Sequence, residues 1–579
     1  MSPQKSFGER PRIAHITNHG YAGVDVPYGG APDTGGQNMY VNALVKAMVE
    51  LGYHVTVFAR GGFTFFESDH LREGIEEFGE HARYVYVPGG GGEFLRKEDI
   101  AIALDEEVDW LEEFNDAEAR QLGCEPWEVY EFVNTHYWDA GVMGMLLVER
   151  WQARRAAEII SDLLSDVVPG GLEELTTLGY RTGVGHEPAH LLGRWLAEAV
   201  DPMLPPTDRA RAAVELWGHH WAPDRAAAAA NDAAGRVAAD VASGISPAVT
   251  PLVVADVVGH AVLKLWDPDS RKLKAALVEA NTHVFTPHSL GDLKDENYRD
   301  RSLKVRRDLK FCERRNHERT LCRATRVFAA TSTEIAERLH THLDVGLDQM
   351  FFFPPGVDRE QFREYSAEEL EPVYAYLAEK SGLDVDTLKQ ATIAFETSRM
   401  DRTKRKDLLL SAFARAAPEV DNTYLFIGGG PEKELFQTLQ TQRDADPVLR
   451  ERAFLLGFVP DELLYPMFAM ADLFVTASEM EGFGMSAAQA AAVGTPLITS
   501  HLVPFSVQYV PEAAMICRAG DAEAFAAAMV KLLSEREERE ERGGKLKEKT
   551  ASLDWVALSA AFIDHIRREG IPVRKPGRD

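Results

Sequence analysis

The chain has 579 residues, 45% of them hydrophobic, with a mean hydropathy of −0.23 and a net charge of −28. This is an ordinary globular composition, long enough for about two to four domains. No apolar run approaches the roughly 20 residues needed to span a bilayer, and the acidic surplus argues against nucleic acid as a partner, which calls for a basic footprint. The stretch MSPQKSFGERPRIAHIT lacks the apolar core of a leader, so a cytoplasmic protein is expected. Cys124, Cys312, Cys322 and Cys517 show no CxxC spacing, so neither a zinc site nor a disulfide framework is expected.

RIAHIT at 12–17 reads as a buried strand. A glycine-rich loop ends in PDTGGQ at 32–37, and NMYVNALVKAMVELG reads as a helix by its apolar spacing, with Gly52 as its stop. HVTVFAR follows as a strand, which completes a βαβ unit with glycines at the helix start. YVYVPGG at 84–90, VYEFVNTHYWDAG at 129–141, THVFTPHSLG at 282–291, ATRVFAATS at 324–332 and MFFFPPGVD at 350–358 continue the alternation. Residues 153–281 break it: they are alanine-rich, helical by periodicity, and read as a helical insertion beside the cleft, acting in assembly or as a lid.

After the Pro-Pro-Gly hinge a second α/β series begins. ATIAFETSRMDRTKRKDLLLSAFARA is strand, charged loop and helix; TYLFIGGGPEKELFQTL is strand, glycines and helix; AFLLGFVPDELLYPMFAMADLFVTAS is strand, helix and strand. The expected fold is α/β, with two Rossmann-like domains facing across a cleft. The first domain comprises 1–152 and 282–357 around the 153–281 insertion, the second spans 358–555, and a helix in 556–579 is long enough to cross back to the first.

Several short stretches carry chemistry. Gly35 and Gly36 let backbone approach a phosphate or sugar ring at a helix start, and Gln37 can bond to hydroxyls. Arg399 and Lys404, with Arg402, Arg405 and Lys406 beside them, form a cationic loop in an acidic protein, suited to the charge that develops on a leaving diphosphate. EMEGFGMSAAQAAAVGTP at 479–496 sets carboxylates on a glycine turn that leads into a helix. The turn and helix start suit phosphate and the carboxylate suits hydroxyls, a combination that a nucleotide sugar presents. His136 and His288 follow first-domain strands and are expected to face the cleft. HEPAH at 186–190 has the letters of a zinc-protease motif, but Pro188 disfavours the continuous helix that motif needs and no third ligand is evident, so no metal site is expected there. The histidines of WGHHW at 217–221 read as packing or surface residues.

PDTGGQ, THYWDAG, TPHSLG, PPGVD, SRMDRTKRKDLL, GGGPEKELF, EGFGMSAAQA and GTPLI occur in one order. Together they resemble the GT-B retaining glycosyltransferases of glycosyltransferase family 4, in the branch of sucrose-phosphate synthase, sucrose synthase and mannosylfructose-phosphate synthase. The resemblance covers residues 12–150 and 282–535 and leaves the insertion outside. It implies a hexosyltransferase that moves a hexose with retention from a nucleoside diphosphate sugar, UDP-glucose first, to a small sugar or sugar phosphate, fructose 6-phosphate first. It implies no cofactor and no metal, and leaves self-association open. His136, Arg399, Lys404 and Glu481 are the catalytic residues it implies. Gly35, Gly36, Gln37, His288, Gly429, Phe458, Val459, Phe483, Gly484, Met485 and Gln489 are implied substrate contacts. Arg96 and Lys97 of RKED at 96–99 fall where relatives bind an acceptor's phosphate. Gln489 departs from the pattern: relatives place a ribose-binding acid there. The rivals are a compatible-solute glycosyltransferase with another acceptor, a nucleotide-sugar hydrolase or epimerase, and a non-catalytic nucleotide-sugar-binding protein.

Overall fold

The structure is a computed structural model that describes residues 10–24, 36–64, 71–164, 203–221, 223–243, 250–265, 281–299, 302–430 and 433–576, with Gly193, Leu196, Ala197, Val200 and Asp201 between them. HEPAH and Gly35 lie outside the described residues, as do the side chains of WGHHW and parts of the insertion.

Two sheets build the molecule. The first joins β1 (Arg12–Thr17), β2 (His54–Arg60), β3 (Gly74–Glu77), β4 (Ala82–Val87), β5 (Val133–His136), β6 (His283–Thr286), β7 (Val327–Ala330) and β8 (Met350–Phe352) in the order β3-β4-β2-β1-β5-β6-β7-β8. Every pairing is parallel except that of β3 with β4. The second joins β9 (Thr392–Thr397), β10 (Thr423–Gly428), β11 (Ala453–Gly457), β12 (Leu473–Thr476), β13 (Leu497–Ser500) and β14 (Met515–Cys517), all parallel, in the order β11-β10-β9-β12-β13-β14. β3 and β14 are additions to the sequence expectation.

Alternation within strands feeds two cores per sheet. In β1, Ile13 joins Tyr40, Val41 and Leu44 of helix α1 (Gly36–Glu50), while Ala14 and Ile16 join Trp138 and Met143 of α2 (Tyr137–Leu164) on the other face. Between β5 and β6, α3 (Pro206–Trp221), α4 (Pro223–Ala242) and α5 (Thr250–Leu265) pack on one another. α6 (Phe311–Ala324) precedes β7, α7 (Lys406–Ala416) follows β9, and α8 (Met485–Val493) follows β12. The last helix, α9 (Trp555–Arg568), crosses to the first sheet, where Phe562 packs against Phe132 and Phe353 and Arg574 pairs with Glu131.

Strand order reverses between β1 and β5 in one sheet and between β9 and β12 in the other. Such switch points open a crevice at the carboxyl ends of the strands, where ligands bind.

Candidate functional site

The two switch points face each other across one cleft. His19, Gly36, Gln37, Tyr40, His288, Ser289 and Lys294 line it from the first domain, and Ser398, Arg399, Lys404, Glu481, Phe483, Gly484 and Met485 from the second.

β9 delivers the cationic turn. Asp401 accepts from Thr403 N at 2.8 Å and shapes it. Lys404 is buried, and its Nζ donates to Glu481 Oε1 at 2.6 Å and to Met480 O at 3.3 Å. Arg399 is exposed and makes no side-chain hydrogen bond or ion pair among the described residues. The neighbouring cations contribute less than the sequence suggests. Arg405 is paired with Glu479 and Asp407, and Lys406 turns into the core onto Glu396. Of the cations of this turn only Arg399 and Lys404 line the cleft, and Lys404 is itself paired with Glu481, so Arg399 brings the charge that no acid already meets.

Gly484 has φ 102°, and a Cβ there would sit 2.5 Å from Val503 Cγ1, so only glycine turns the chain into α8 here. The first turn of α8 leaves N–H groups without intrahelical partners, and Met485 and Ser486 of that turn line the cleft. From the facing domain, a Cβ on Gly36 would lie 3.3 Å from Met485 Sδ, so the starts of α1 and α8 meet. Gly429, Phe458 and Val459 sit at the ends of β10 and β11, where Gly429 N donates to Gly457 O at 2.7 Å and Phe458 is 51% exposed. They form a shelf next to Ser398 and do not line the cleft itself.

His136 departs from expectation. It is fully buried and does not face the cleft. Its Nε2 lies 3.0 Å from His15 Nδ1 and its Nδ1 lies 3.1 Å from His288 Nε2, so His288 is the member that reaches the cleft wall. Burial pushes His15 and His288 down to about 3, with His19 adding to the effect on His288. His136 is held well below the usual range by burial and its two imidazole neighbours, so all three rings are neutral near pH 7. Gln37 Nε2 donates to Thr17 Oγ1 at 3.1 Å, which fixes it at the cleft floor.

Past His288 the cleft continues into a second pocket lined by His19, Lys97, Tyr137, Ser289, Lys294, Lys310 and Arg314. Tyr137 holds φ 77°, a left-handed conformation that strains a non-glycine residue. The Arg314 guanidinium lies 4.3 Å from the Tyr137 ring centroid and donates to the Tyr137 hydroxyl, to Ser289 O at 2.6 Å and to Glu318 Oε1 at 2.7 Å. Lys294 lines both cavities. Burial, then Arg314, Lys97, Arg399 and Lys404, push its ammonium down to about 8. Of the RKED pair only Lys97 lines this pocket. Arg96 is exposed, does not line the pocket, and is held by Asp99 at 2.7 Å, the acid that also pairs with Lys310 at 3.0 Å. His19, Tyr137, Lys294, Lys310 and Arg314 escaped the sequence reading. Lys294, three residues after the TPHSLG loop, carried a local signal; Arg314 sits among alternating charges on α6 and carried none.

Gln489 lies four residues after Met485 on α8 and three after Ser486, hence on the helix face that those two turn to the cleft. α8 starts at Met485, so half of the eight-residue spacing from Glu481 is loop rather than helix.

Among the described residues no group of three or more His, Cys, Asp or Glu could hold a metal, and no helix is long and apolar enough to cross a membrane. Residues 386–549 match the family described as glycosyl transferases group 1. The chain is 24% identical over 514 residues to mannosylfructose-phosphate synthase of Agrobacterium fabrum (strain C58 / ATCC 33970), covering 86% of this chain and 79% of that one. Its fold is similar to that of sucrose-phosphate synthase from Thermosynechococcus elongatus, with a TM-score of 0.57 at 18% identity over 96% of this chain and 99% of the other. It is also similar to Anabaena HepE in complex with UDP and glucose, with a TM-score of 0.51 at 11% identity over 96% and 100% of the two chains.

Proposed function

We propose that this chain, a hexosyltransferase of the GT-B fold with a group 1 glycosyl transferase domain at 386–549, moves a hexose with retention from a nucleoside diphosphate sugar, UDP-glucose first, to fructose 6-phosphate. Two adjoining cationic sites that share Lys294 carry the proposal. One, with Arg399 and Lys404, suits a diphosphate; the other, with Lys97 and Lys294 beside Lys310 and Arg314, which also pair with Asp99 and Glu318, suits a phosphate monoester held a short distance away. A donor and a phosphorylated acceptor would so meet at Gln37 and His288. The names of the Agrobacterium relative and the Thermosynechococcus neighbour both describe a phosphorylated product, which supports the acceptor class, and the UDP and glucose of the Anabaena complex support the donor class. The Agrobacterium relative favours one second reading, in which the hexose moved is mannose.

In this chemistry Arg399, Lys404 and the amides of α8 stabilise the negative charge on the departing diphosphate, in place of a metal. Glu481 bonds to hydroxyls of the transferred sugar. The acceptor attacks on the face that the diphosphate leaves, and a donor phosphate oxygen takes the acceptor's proton. The four free cysteines support a reducing compartment and hence the cytoplasm.

Release of nucleoside diphosphate, screened over nucleotide sugars with phosphorylated and free acceptors, tests the proposal. Fructose 6-phosphate should drive release where fructose does not, and a chelator should leave the rate unchanged. Steady release without acceptor would point to a hydrolase instead. Lys294→Met should raise the KM of the phosphorylated acceptor by about tenfold or more, since a charge-assisted bond contributes roughly 1.5–3 kcal/mol. An unchanged acceptor KM would remove the phosphate from this pocket.

Gln489 provides a second check. A carboxylate accepts from both hydroxyls of a ribose diol, whereas an amide accepts with one atom and donates with the other and still serves both. Gln489→Glu should keep activity with donor KM changed by less than about tenfold. Gln489→Ala should weaken donor binding more. Alanine kinetics equal to wild type would show that the residue does not touch the nucleotide.

A further inference from the structure

We infer that Met48 and His15 set the direction of the imidazole chain His15–His136–His288, so that His288 presents a hydrogen-bond acceptor, not a donor, to a substrate hydroxyl in the cleft. In its use of the cleft this rests on the glycosyl transfer proposed above; in its chemistry it does not.

Each ring contact is a single nitrogen–nitrogen bond, at 3.0 Å and at 3.1 Å. A neutral imidazole has one N–H and one lone pair, so every link needs a donor on one side and a lone pair on the other. The whole chain can therefore run in only two directions, and a choice at one end fixes every proton along it. All three rings are neutral, which excludes a doubly protonated member that would set N–H against N–H.

The buried end makes the choice. His15 Nε2 lies 3.3 Å from the sulfur of Met48, a buried residue of α1. A thioether has no proton to give and accepts weakly. Nε2–H against it is a hydrogen bond; a bare Nε2 there would oppose two lone pairs. His15 therefore carries its proton on Nε2 and accepts through Nδ1 from His136 Nε2–H. His136 in turn accepts through Nδ1 from His288 Nε2–H. All three rings become Nε2–H tautomers. His288 lines the cleft with Nε2 already engaged, so its bare Nδ1 is the nitrogen left for a ligand. Tyr40, whose ring stands edge-on to His288 at 4.9 Å, keeps that ring in place. His136 and His15 are fully buried and do not line the cleft, so they act through His288 as positioning residues.

A neutron crystal structure of the full chain near pH 7 reads the deuterons directly and needs neither variant nor substrate. Deuterons on Nε2 of His15, His136 and His288 are expected; a deuteron on Nδ1 of His136 or His288 overturns the inference. Met48→Leu keeps the volume but removes the preference, so both directions become populated and kcat should fall about twofold with KM little changed. His15→Phe removes the acceptor for His136 and should lower kcat by about tenfold, while His15→Asn, whose side-chain oxygen can accept, should recover most of it. Wild-type kcat in both Met48→Leu and His15→Phe would also overturn it. Should the chain prove not to transfer glycosyl groups, the deuteron positions still decide the tautomers by themselves.

Discussion

Arg399→Ala and Lys404→Ala each remove most of the turnover. A diphosphate gains charge as it leaves, and a fixed cation contributes roughly 2–4 kcal/mol to that transition state, about 30- to 1000-fold in rate. The two variants should differ in side effects. Arg399 is exposed, so its removal leaves the core untouched and the thermal midpoint unchanged. Lys404 is buried against Glu481, so its loss leaves that carboxylate without its cation and lowers the midpoint as well. Because Arg405 and Lys406 are already paired with acids, neither can stand in for the missing charge. Single-turnover rates and thermal midpoints of both variants provide the check. Near-normal rates in folded protein would take the diphosphate away from this turn.

The parallel α/β architecture was legible because strands buried on both faces are nearly continuous apolar runs, and helices such as α1 and α8 stop at a glycine with positive φ, Gly52 and Gly494. β3 was not: GIEE is an exposed edge with one apolar residue. β14 has only three residues, too few to show a period. The second-domain site was legible for a different reason. Arg399, Lys404, Glu481 and Gly484 come from two loops, each with its own local pattern of charge and glycine. The cationic pocket draws Lys97, Lys294, Lys310 and Arg314 from separate stretches, which become one site only when β6 and α6 stand beside the loop that follows β4. His136 shows the limit most clearly. Its place at a strand end was readable, but its burial depends on His15 in β1 and His288 after β6, whose strands flank β5 in the sheet although the two histidines lie 121 and 152 residues away in the chain. A count of basic residues likewise says nothing of partners, and it overstates the charge that the 399–406 loop offers.

Lys406→Met should unfold the second domain more readily than an exposed substitution would, by roughly 3–5 kcal/mol, because it leaves a buried charge without its counterpart. Lys406 is 1% exposed and Glu396 is fully buried. The Lys406 ammonium donates to the Glu396 carboxylate, to Gly428 O at 2.9 Å and to Ser398 Oγ at 3.0 Å. Burial lowers its pKa, and Glu396 opposes that shift. The same ammonium thus ties the end of β9 to the end of β10, one residue before Arg399 and one before Gly429. At Gly429 a Cβ would lie only 2.0 Å from Ser398 O and 3.4 Å from Lys406 Nζ, so the two backbones pass each other closely beside this ammonium. Replacing Glu396 with Leu in the Lys406→Met background removes both charges, and most of the lost stability should return. Turnover should not return with it, since the tether between Ser398 and Gly428 is still missing and Arg399 is held less closely. Urea midpoints and kcat of the single and double variants separate the two effects. A single variant that loses less than about 1 kcal/mol would mean that the pair does not hold this part of the fold together. A double variant with full turnover would mean that Arg399 is placed without it.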